Sequence, residues 1–253
     1  MRTADELRSL VADAVRELEP APELGSLAEP LRYAVGGKLI RPVLCLATGE
    51  ALGVDAEEAL PAALAVELVH SFSLVHDDLP ALDDDDVRRG KPTVHAEFGE
   101  RTAILTGDAL LAEAFRLVAA YDRAEVVREL AHATLRMIGG QQLDFEGAAA
   151  RDDVHRLKTA ALFEAPVACA LVLAGAPESA RGPWTRFATE LGLLFQVVDD
   201  ILDGDGFVDE RGAEGARALA DAHAARAHAL LEELDVDTSV LETIVDVLAT
   251  RTV

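Results

Sequence analysis

Two clusters of aspartate residues, each placed directly after an apolar stretch, carry the strongest chemical signal in this sequence. Two carboxylates held 4 Å apart repel each other by about 4 kcal/mol at an effective dielectric constant of 20. Carboxylates that continue a buried helical pattern are also costly to desolvate unless they are paired or bind a metal. The clusters therefore predict bound cations. They consist of Asp77, Asp78 and Asp83, and of Asp199, Asp200 and Asp203.

The spacing within each cluster favours a magnesium-type site. Asp199 and Asp203 are four residues apart and would share one face of a helix. Pro80 should end or kink the helix before it, which would let Asp83 fold back toward Asp77. Oxygen ligands without histidine or cysteine suit Mg²⁺ or Mn²⁺, and the spacing is not that of a calcium-binding EF-hand. Asp84, Asp85 and Asp86, which follow the first cluster, suit a solvated loop.

Basic residues are few, so their placement is informative. Lys38 and Arg41 follow a Gly-Gly pair at the start of a predicted helix, where an ordinary helix cap or an anion site would fit. Arg88 and Arg89 follow the first aspartate cluster and would either neutralise it or bind diphosphate oxygens. Combined with the apolar helices, this pattern predicts a protein that holds two diphosphates with a hydrocarbon between them.

Composition restricts both fold and function. Half of the 253 residues are apolar and only 4% are aromatic, which favours helices over a β-sandwich. The net charge of −23 argues against non-specific nucleic-acid binding.

Cys45 and Cys169 lie in apolar surroundings and predict core thiols in a reducing cytoplasm. The N-terminus lacks the apolar centre of a signal peptide, and the longest apolar run, Ala165–Ala176, is too short to span a membrane, so we expect a cytoplasmic protein without a membrane span.

Helical periodicity recurs along the whole chain and no segment alternates like a strand. We therefore expect an all-α fold, a single domain over residues 1–253 in which about ten helices surround a central apolar cavity. Ala56–Leu79 and Pro183–Leu202 are apolar on most faces, belong in the middle of the bundle, and end at the aspartate clusters. The predicted helices are Ala4–Leu18, Ser26–Val35, Arg41–Leu52, Ala56–Leu79, Arg101–Tyr121, Ala124–Phe145, Asp152–Ala174, Pro183–Leu202, Gly212–Leu234 and Ser239–Ala249.

The motifs resemble those of the trans-isoprenyl diphosphate synthases, also called polyprenyl synthetases, from about Leu31 to Asp203. This resemblance implies the isoprenoid synthase fold, a homodimer, and condensation of isopentenyl diphosphate with an allylic diphosphate. It also implies Mg²⁺ as the cofactor, as a cluster of three ions, with Mn²⁺ as a substitute. The motifs that carry it are Asp77-Asp78 with Asp83, the run Arg88-Arg89-Gly90-Lys91-Pro92-Thr93, Asp199-Asp200 with Asp203 after Phe195-Gln196, and the Gly-Gly-Lys…Arg-Pro element at 36–42.

The resemblance assigns roles to individual residues. Metal ligands would be Asp77, Asp83, Asp199 and Asp203, with Asp78 and Asp200 as outer partners. The allylic diphosphate would be held by Arg88 and Lys158, and isopentenyl diphosphate by Lys38, Arg41, His70 and Arg89. Thr159 and Gln196 would face the developing allylic cation. Without the resemblance, His70 is an ordinary buried helix histidine and Lys158-Thr159 an uninformative pair.

Product length would depend on the residues one turn before the first aspartate cluster. The growing chain would run along Ala56–Leu79, and Phe72, with Ser73 beside it, would form a floor. This arrangement resembles short-chain bacterial farnesyl diphosphate synthases. An ordinary core role for Phe72 is the alternative, and geranyl or geranylgeranyl diphosphate remains open as the product.

The sequence departs from the family pattern after the second cluster, where a lysine-containing loop usually follows. No lysine occurs after Lys158, and Arg211 or Arg217 are candidates to replace it. A class I terpene cyclase is disfavoured because its second metal motif uses Asn, Ser/Thr and Glu. A non-catalytic subunit of a heteromeric synthase is disfavoured because this chain keeps both aspartate clusters.

Overall fold

Alanine- and leucine-rich stretches form α-helices through most of the chain. The computed structural model describes residues 1–147, 154 and 156–251. Within these ranges it contains eleven α-helices, so the predicted all-α fold is confirmed. The helices are α1 (Ala4–Arg16), α2 (Ala28–Ala34), α3 (Ile40–Ala51), α4 (Ala56–Asp77), α5 (Val94–Phe98), α6 (Glu100–Val118), α7 (Ala124–Glu146), α8 (Ala161–Leu173), α9 (Arg181–Asp203), α10 (Phe207–Glu232) and α11 (Ser239–Ala249).

Every predicted helix has a counterpart, with local differences. The predicted helix from Asp152 begins outside the described residues, and its described part is a π-helical turn, Arg156–Ala160, followed by α8. The predicted start at Gly212 is a break inside α10, where the backbone has φ 71° and ψ 164°. Helix α5 is an addition to the prediction, as are two 3₁₀ turns, Pro22–Leu27 and Glu178–Ala180.

A short hairpin, which the sequence does not predict, follows the first aspartate cluster. Strand β1 (Val87–Arg88) pairs antiparallel with β2 (Lys91–Pro92). The two turn residues, Arg89 and Gly90, have φ of 54° and 75°. Positive φ at both positions is what a type I′ turn requires, and this turn matches the twist of the paired strands. The hairpin thereby fixes the position of Arg89.

Helix α4 is the central helix and packs against α3, α6 and α8. By length and composition it is the one helix among the described residues that could cross a membrane. Within its most apolar window, however, 61% of the residues are buried inside the protein, as in any core helix. Cys45 and Cys169 are buried free thiols in the same core, as predicted. The fold thus brings the first aspartate cluster, at the end of α4, to the middle of the bundle.

Two charged side chains lie in this core without a direct ion pair to each other in the described structure. Glu67 in α4 is 2% exposed and Arg41 in α3 is 8% exposed. Burial raises the pKa of Glu67 from 4.5 to about 7, although the positive charges of Arg41 and Arg89 act in the opposite direction. The neighbouring titratable group one turn along α4 is His70, and burial lowers its pKa well below the usual range. The Glu67 carboxylate is therefore a source of pH-dependent stability.

We expect Glu67→Gln to stabilise the protein at high pH but not at low pH. Because the folded-state pKa of about 7 lies above the ordinary 4.5, stability falls as pH rises between these values and is constant above them. The amide removes this penalty, which is at most about 3 kcal/mol. Urea unfolding at pH 5 and pH 8 measures the change in the free energy of unfolding that the substitution causes. Glu58→Gln, on the exposed side of α4, is the matched control; equal effects of both variants at pH 8 would contradict the prediction.

Candidate active site

A cavity of about 770 Å³ opens between α4, α7, the π-helical turn and α9. Five carboxylates of the two aspartate clusters line it, together with basic and apolar side chains. The carboxylates are Asp77, Asp83, Asp199, Asp200 and Asp203. The apolar part of the wall includes Phe72, Leu74, Met137, Ile138, Phe145 and Leu162. The structure therefore gathers charged residues from four distant parts of the sequence around one space that also has an apolar side.

The first aspartate cluster folds back on itself as the position of Pro80 predicts. Helix α4 ends at Asp77, and the amide of Asp83 donates to the carbonyl oxygen of Asp77 at 2.8 Å. Burial raises the pKa of Asp77 to about 6; the charge of Asp83 adds to this shift and that of Lys158 opposes it. Asp77 is thus a desolvated carboxylate beside a second carboxylate, an arrangement that favours a bound cation.

Asp78, the other member of the adjacent pair, does not line this cavity. Its side chain is buried and accepts a hydrogen bond from Nε of Arg88 at 2.6 Å, while Arg88 also reaches Asp85 at 3.3 Å. Arg88 does line the cavity. The Asp78 carboxylate therefore anchors Arg88 at the cavity wall.

The second aspartate cluster lies at the end of α9, which Gly204 terminates in a left-handed conformation (φ 74°). Asp199 and Asp203 line the cavity, as their four-residue spacing predicts. Asp200 is buried, and its two oxygens accept from Nε2 of Gln196 at 2.7 Å and from the amide of Phe207 at 2.9 Å. Asp200 therefore joins the end of α9 to the start of α10.

The π-helical turn brings Lys158 and Thr159 to the cavity wall. Nζ of Lys158 donates to Asp144 of α7 at 2.8 Å. The hydroxyl of Thr159 donates to Oε1 of Gln196 at 2.7 Å, which continues the hydrogen bonds from Gln196 to Asp200. The oxygens of Thr159 and Gln196 are held at the wall by this chain of hydrogen bonds.

Four basic residues that the family resemblance groups together influence one another electrostatically, although only Arg41 and His70 among them line the cavity. Arg89 donates to the carbonyl oxygen of Gly36, and a Cβ atom on Gly37 would lie 2.1 Å from Nη1 of Arg89. Burial lowers the pKa of Lys38, and the charges of Arg251 and Arg89 act in the same direction. The charges of Arg41 and Arg89 contribute to the lowered pKa of His70. These groups are Lys38, Arg41, His70 and Arg89. The mutual repulsion of the three charged members, Lys38, Arg41 and Arg89, favours a polyanion in this region.

Arg41 is the deepest of these basic groups. Its guanidinium carbon lies 4.7 Å from the ring centroid of Phe163 and 5.4 Å from that of Phe195. Burial lowers its pKa to about 10, and among the described residues its Nε has no hydrogen-bond partner. The buried donor is consistent with a ligand that supplies the acceptor.

The sequence analysis missed Arg251, which lies beside the second aspartate cluster. Its Nη2 is 3.1 Å from Oδ1 of Asp199, and its guanidinium carbon is 5.5 Å from the ring centroid of Phe195. Arg217, one of the two expected candidates, instead binds Asp221 at 3.1 Å and the carbonyl oxygen of Ala249 at 2.6 Å. No local sequence pattern marks Arg251, because only the packing of α11 brings it to this position.

The carboxylates are chemically suited to a hard cation, although they do not form a complete cage. Within residues 1–147, 154 and 156–251, no three His, Cys, Asp or Glu side chains are grouped closely enough to hold an ion. Mg²⁺ characteristically uses one or two carboxylates and completes its shell with water and substrate phosphate. The oxygen donors of the two clusters fit that mode of binding.

Comparisons with known proteins agree with this site. A family model described as polyprenyl synthetase matches residues 25–248. Geranylgeranyl diphosphate synthase of Cyanophora paradoxa is 41% identical over 216 residues, which cover 78% of this chain and 72% of that protein. Farnesyl diphosphate synthase of Bacillus subtilis is 36% identical over an alignment of 263 positions, which covers 89% of each protein.

The structure leads to the same family. The crystal structure of an FPP/GFPP synthase from Zymomonas mobilis matches this chain with a TM-score of 0.84 and 34% sequence identity. The match covers 97% of this chain and 95% of the other. Motifs, fold and sequence similarity along most of the chain therefore agree, and the chain belongs to the polyprenyl synthetase family of trans-prenyltransferases.

Proposed function

We propose that this protein is a Mg²⁺-dependent synthase that condenses isopentenyl diphosphate with dimethylallyl or geranyl diphosphate to form farnesyl diphosphate, releasing diphosphate. The observation that carries this proposal is one cavity whose wall combines carboxylates of both aspartate clusters, the basic side chains of Arg41, Arg88 and Lys158, and an apolar side. The names of the relatives, farnesyl and geranylgeranyl diphosphate synthases, support the substrate class. Geranylgeranyl diphosphate is the alternative product.

The metal ligands in this proposal are Asp77, Asp83, Asp199 and Asp203. Three Mg²⁺ ions, or Mn²⁺ in their place, would neutralise the diphosphate that leaves the allylic substrate. Arg88 and Lys158 bind the oxygens of the same diphosphate from the cavity wall. The hydrogen bond between Arg88 and Asp78 keeps the guanidinium in place before substrate arrives.

Isopentenyl diphosphate binds the separate basic group of Lys38, Arg41, His70 and Arg89. Because its pKa is lowered, the His70 imidazole is neutral and contributes a hydrogen bond rather than a charge. Thr159 and Gln196 present oxygen dipoles to the allylic cation. The double bond of isopentenyl diphosphate attacks this cation, and the proton lost afterwards passes to the released diphosphate, so no protein base is required. The apolar wall protects the cation from water.

Arg251 is a candidate for the basic group that closes the site. In related sequences a lysine-containing loop after the second cluster has this role, and this chain has no lysine there. Arg251, in the segment that follows α11, instead contacts Asp199 of the second cluster and could supply that positive charge. This geometry favours Arg251 over Arg217, which is engaged by Asp221 and Ala249.

The proposed assembly is a cytoplasmic homodimer that forms through α6 and α7. These helices contact each other, and each carries apolar residues that are about half exposed or more. They are Ile104 (46%) and Leu105 (47%) in α6 and Leu135 (69%) in α7, which we call the apolar patch. Exposed apolar residues on adjacent helices are typical of an interaction surface.

We expect purified protein, isopentenyl diphosphate, Mg²⁺ and either shorter primer to give farnesyl diphosphate in a mass-resolved product assay. EDTA should abolish the product, and Asp77→Ala should reduce kcat/KM by about 100-fold or more, because the charge of the leaving diphosphate is no longer neutralised. Asp84→Asn is the matched control, since Asp84 belongs to the same loop but does not line the cavity. Full activity in EDTA, or equal losses in both variants, would refute this assignment.

Replacing Phe72 should lengthen the product. Phe72 lines the cavity one turn above Asp77, so Phe72→Ala deepens the space for the growing chain. Geranylgeranyl diphosphate should then become the main product from geranyl diphosphate. Phe115→Ala removes a ring packed against the core but outside the cavity wall and should leave the product unchanged. A farnesyl product from both variants would show that Phe72 is an ordinary core residue.

The dimer should dissociate when a charge is placed in the apolar patch. Light scattering should give the wild-type protein twice the chain mass of 26.9 kDa, and Leu135→Glu the mass of one chain. Val247→Glu, at an exposed apolar residue of α11, is the control and should remain dimeric. A monomeric wild-type protein would rule out the interface.

A further inference from the structure

His76 lies directly before Asp77 in α4, and the proposed mechanism does not use it. Its Nε2 lies 3.0 Å from the carbonyl oxygen of Ile104 in α6. A carbonyl oxygen only accepts, so Nε2 carries the proton and donates. The imidazole also meets the ring of Phe72 edge to face, with centroids 5.1 Å apart and planes at 75°. His76 therefore connects α6 to the residue that forms the proposed floor of the cavity.

The imidazole fits in this position because residue 107 of α6 is glycine. A Cβ atom there would lie 2.1 Å from Nε2 and 2.3 Å from Cδ2 of His76, far inside van der Waals contact. Glycine within a helix costs about 1 kcal/mol relative to alanine. The glycine at position 107 is needed despite this cost, because the imidazole of His76 occupies the space that a side chain would fill. By contrast, a Cβ atom on Gly139 of α7 would meet nothing within 4 Å.

His76 and Phe72 are four residues apart in α4, so their side chains share one face of the helix. Both line the cavity. The imidazole is fixed on one side by the Ile104 carbonyl and by the backbone of Gly107, and on the other side by the edge-to-face contact. It thereby restricts the positions that the Phe72 ring can adopt.

We propose that His76 and Gly107 are positioning residues that set product length by holding Phe72 at a fixed depth in the cavity. This inference rests on the proposed synthase function. Loss of the imidazole lets the Phe72 ring move into the vacated space, which deepens the cavity. A methyl group on residue 107 has the opposite effect, because it pushes the imidazole toward Phe72 and the cavity.

The test is the product distribution of the wild-type chain and five variants with isopentenyl and geranyl diphosphates. His76→Ala should raise the ratio of geranylgeranyl to farnesyl product by a factor of about 2–10, the range expected for losing one aromatic edge contact. Gly107→Ala should lower that ratio, and Gly139→Ala, the matched control, should leave it unchanged. In Phe72→Ala protein, adding His76→Ala should have no further effect on product length, because the residue that His76 positions is absent.

Variants that change activity alone, without changing the ratio, would overturn the proposal, as would an equal shift by His76→Ala with and without Phe72. If His76→Ala fails to fold, as judged by circular dichroism, His76→Gln provides the same test, because it keeps a donor for Ile104 but lacks the ring. Unchanged ratios in both His76→Gln and Gly107→Ala then reject the proposal. A wild-type chain that forms no prenyl product would instead refute the synthase function, and with it this inference.

Discussion

Two apolar helices, α4 and α9, end in carboxylates, and the electrostatic cost of this arrangement explains how the site is organised. The C-terminal end of a helix carries partial negative charge, so acidic residues at that end are unfavourable even before they repel one another. Burial adds a further cost, visible in the raised pKa of Asp77. Cations must compensate, and Lys158, Arg88 and Arg251 already approach the two clusters. In the proposed function, substrate and metal complete a charge balance that the protein alone leaves negative.

In each adjacent aspartate pair, the second carboxylate supports other parts of the protein through hydrogen bonds, whereas the first faces the cavity. Asp78 holds Arg88, and Asp200 holds Gln196 and the start of α10, so both buried carboxylates are satisfied within the protein. Asp77, Asp83, Asp199 and Asp203 line the cavity, as Asp200 also does, and they face the space that a bound cation would occupy. The supporting residues keep the cavity wall rigid, and positions held in advance are what charge stabilisation in a reaction needs.

The parts of the structure that were predictable from sequence depend on local rules. Apolar periodicity locates the helices, and Pro80 ends α4 because it cannot continue a helix, which turns Asp83 back toward Asp77. Contacts between distant elements leave no such signal. Arg251 reaches Asp199 only through the packing of α11, and the fit of His76 against Gly107 depends on how closely α4 approaches α6.

The cavity separates charge from hydrocarbon, and this separation is what allows product length to vary within a fixed chemistry. In the proposed reaction, the diphosphates and the metal interact with carboxylates and basic groups, whereas chain length depends on the depth of the apolar wall. His76 lies where these two regions meet, adjacent to Asp77 in sequence and in contact with Phe72. Its hydrogen bond to α6 fixes the end of α4 while its ring supports the floor. His76 thereby holds the floor of the cavity, the Phe72 ring, at a fixed distance from the Asp77 carboxylate.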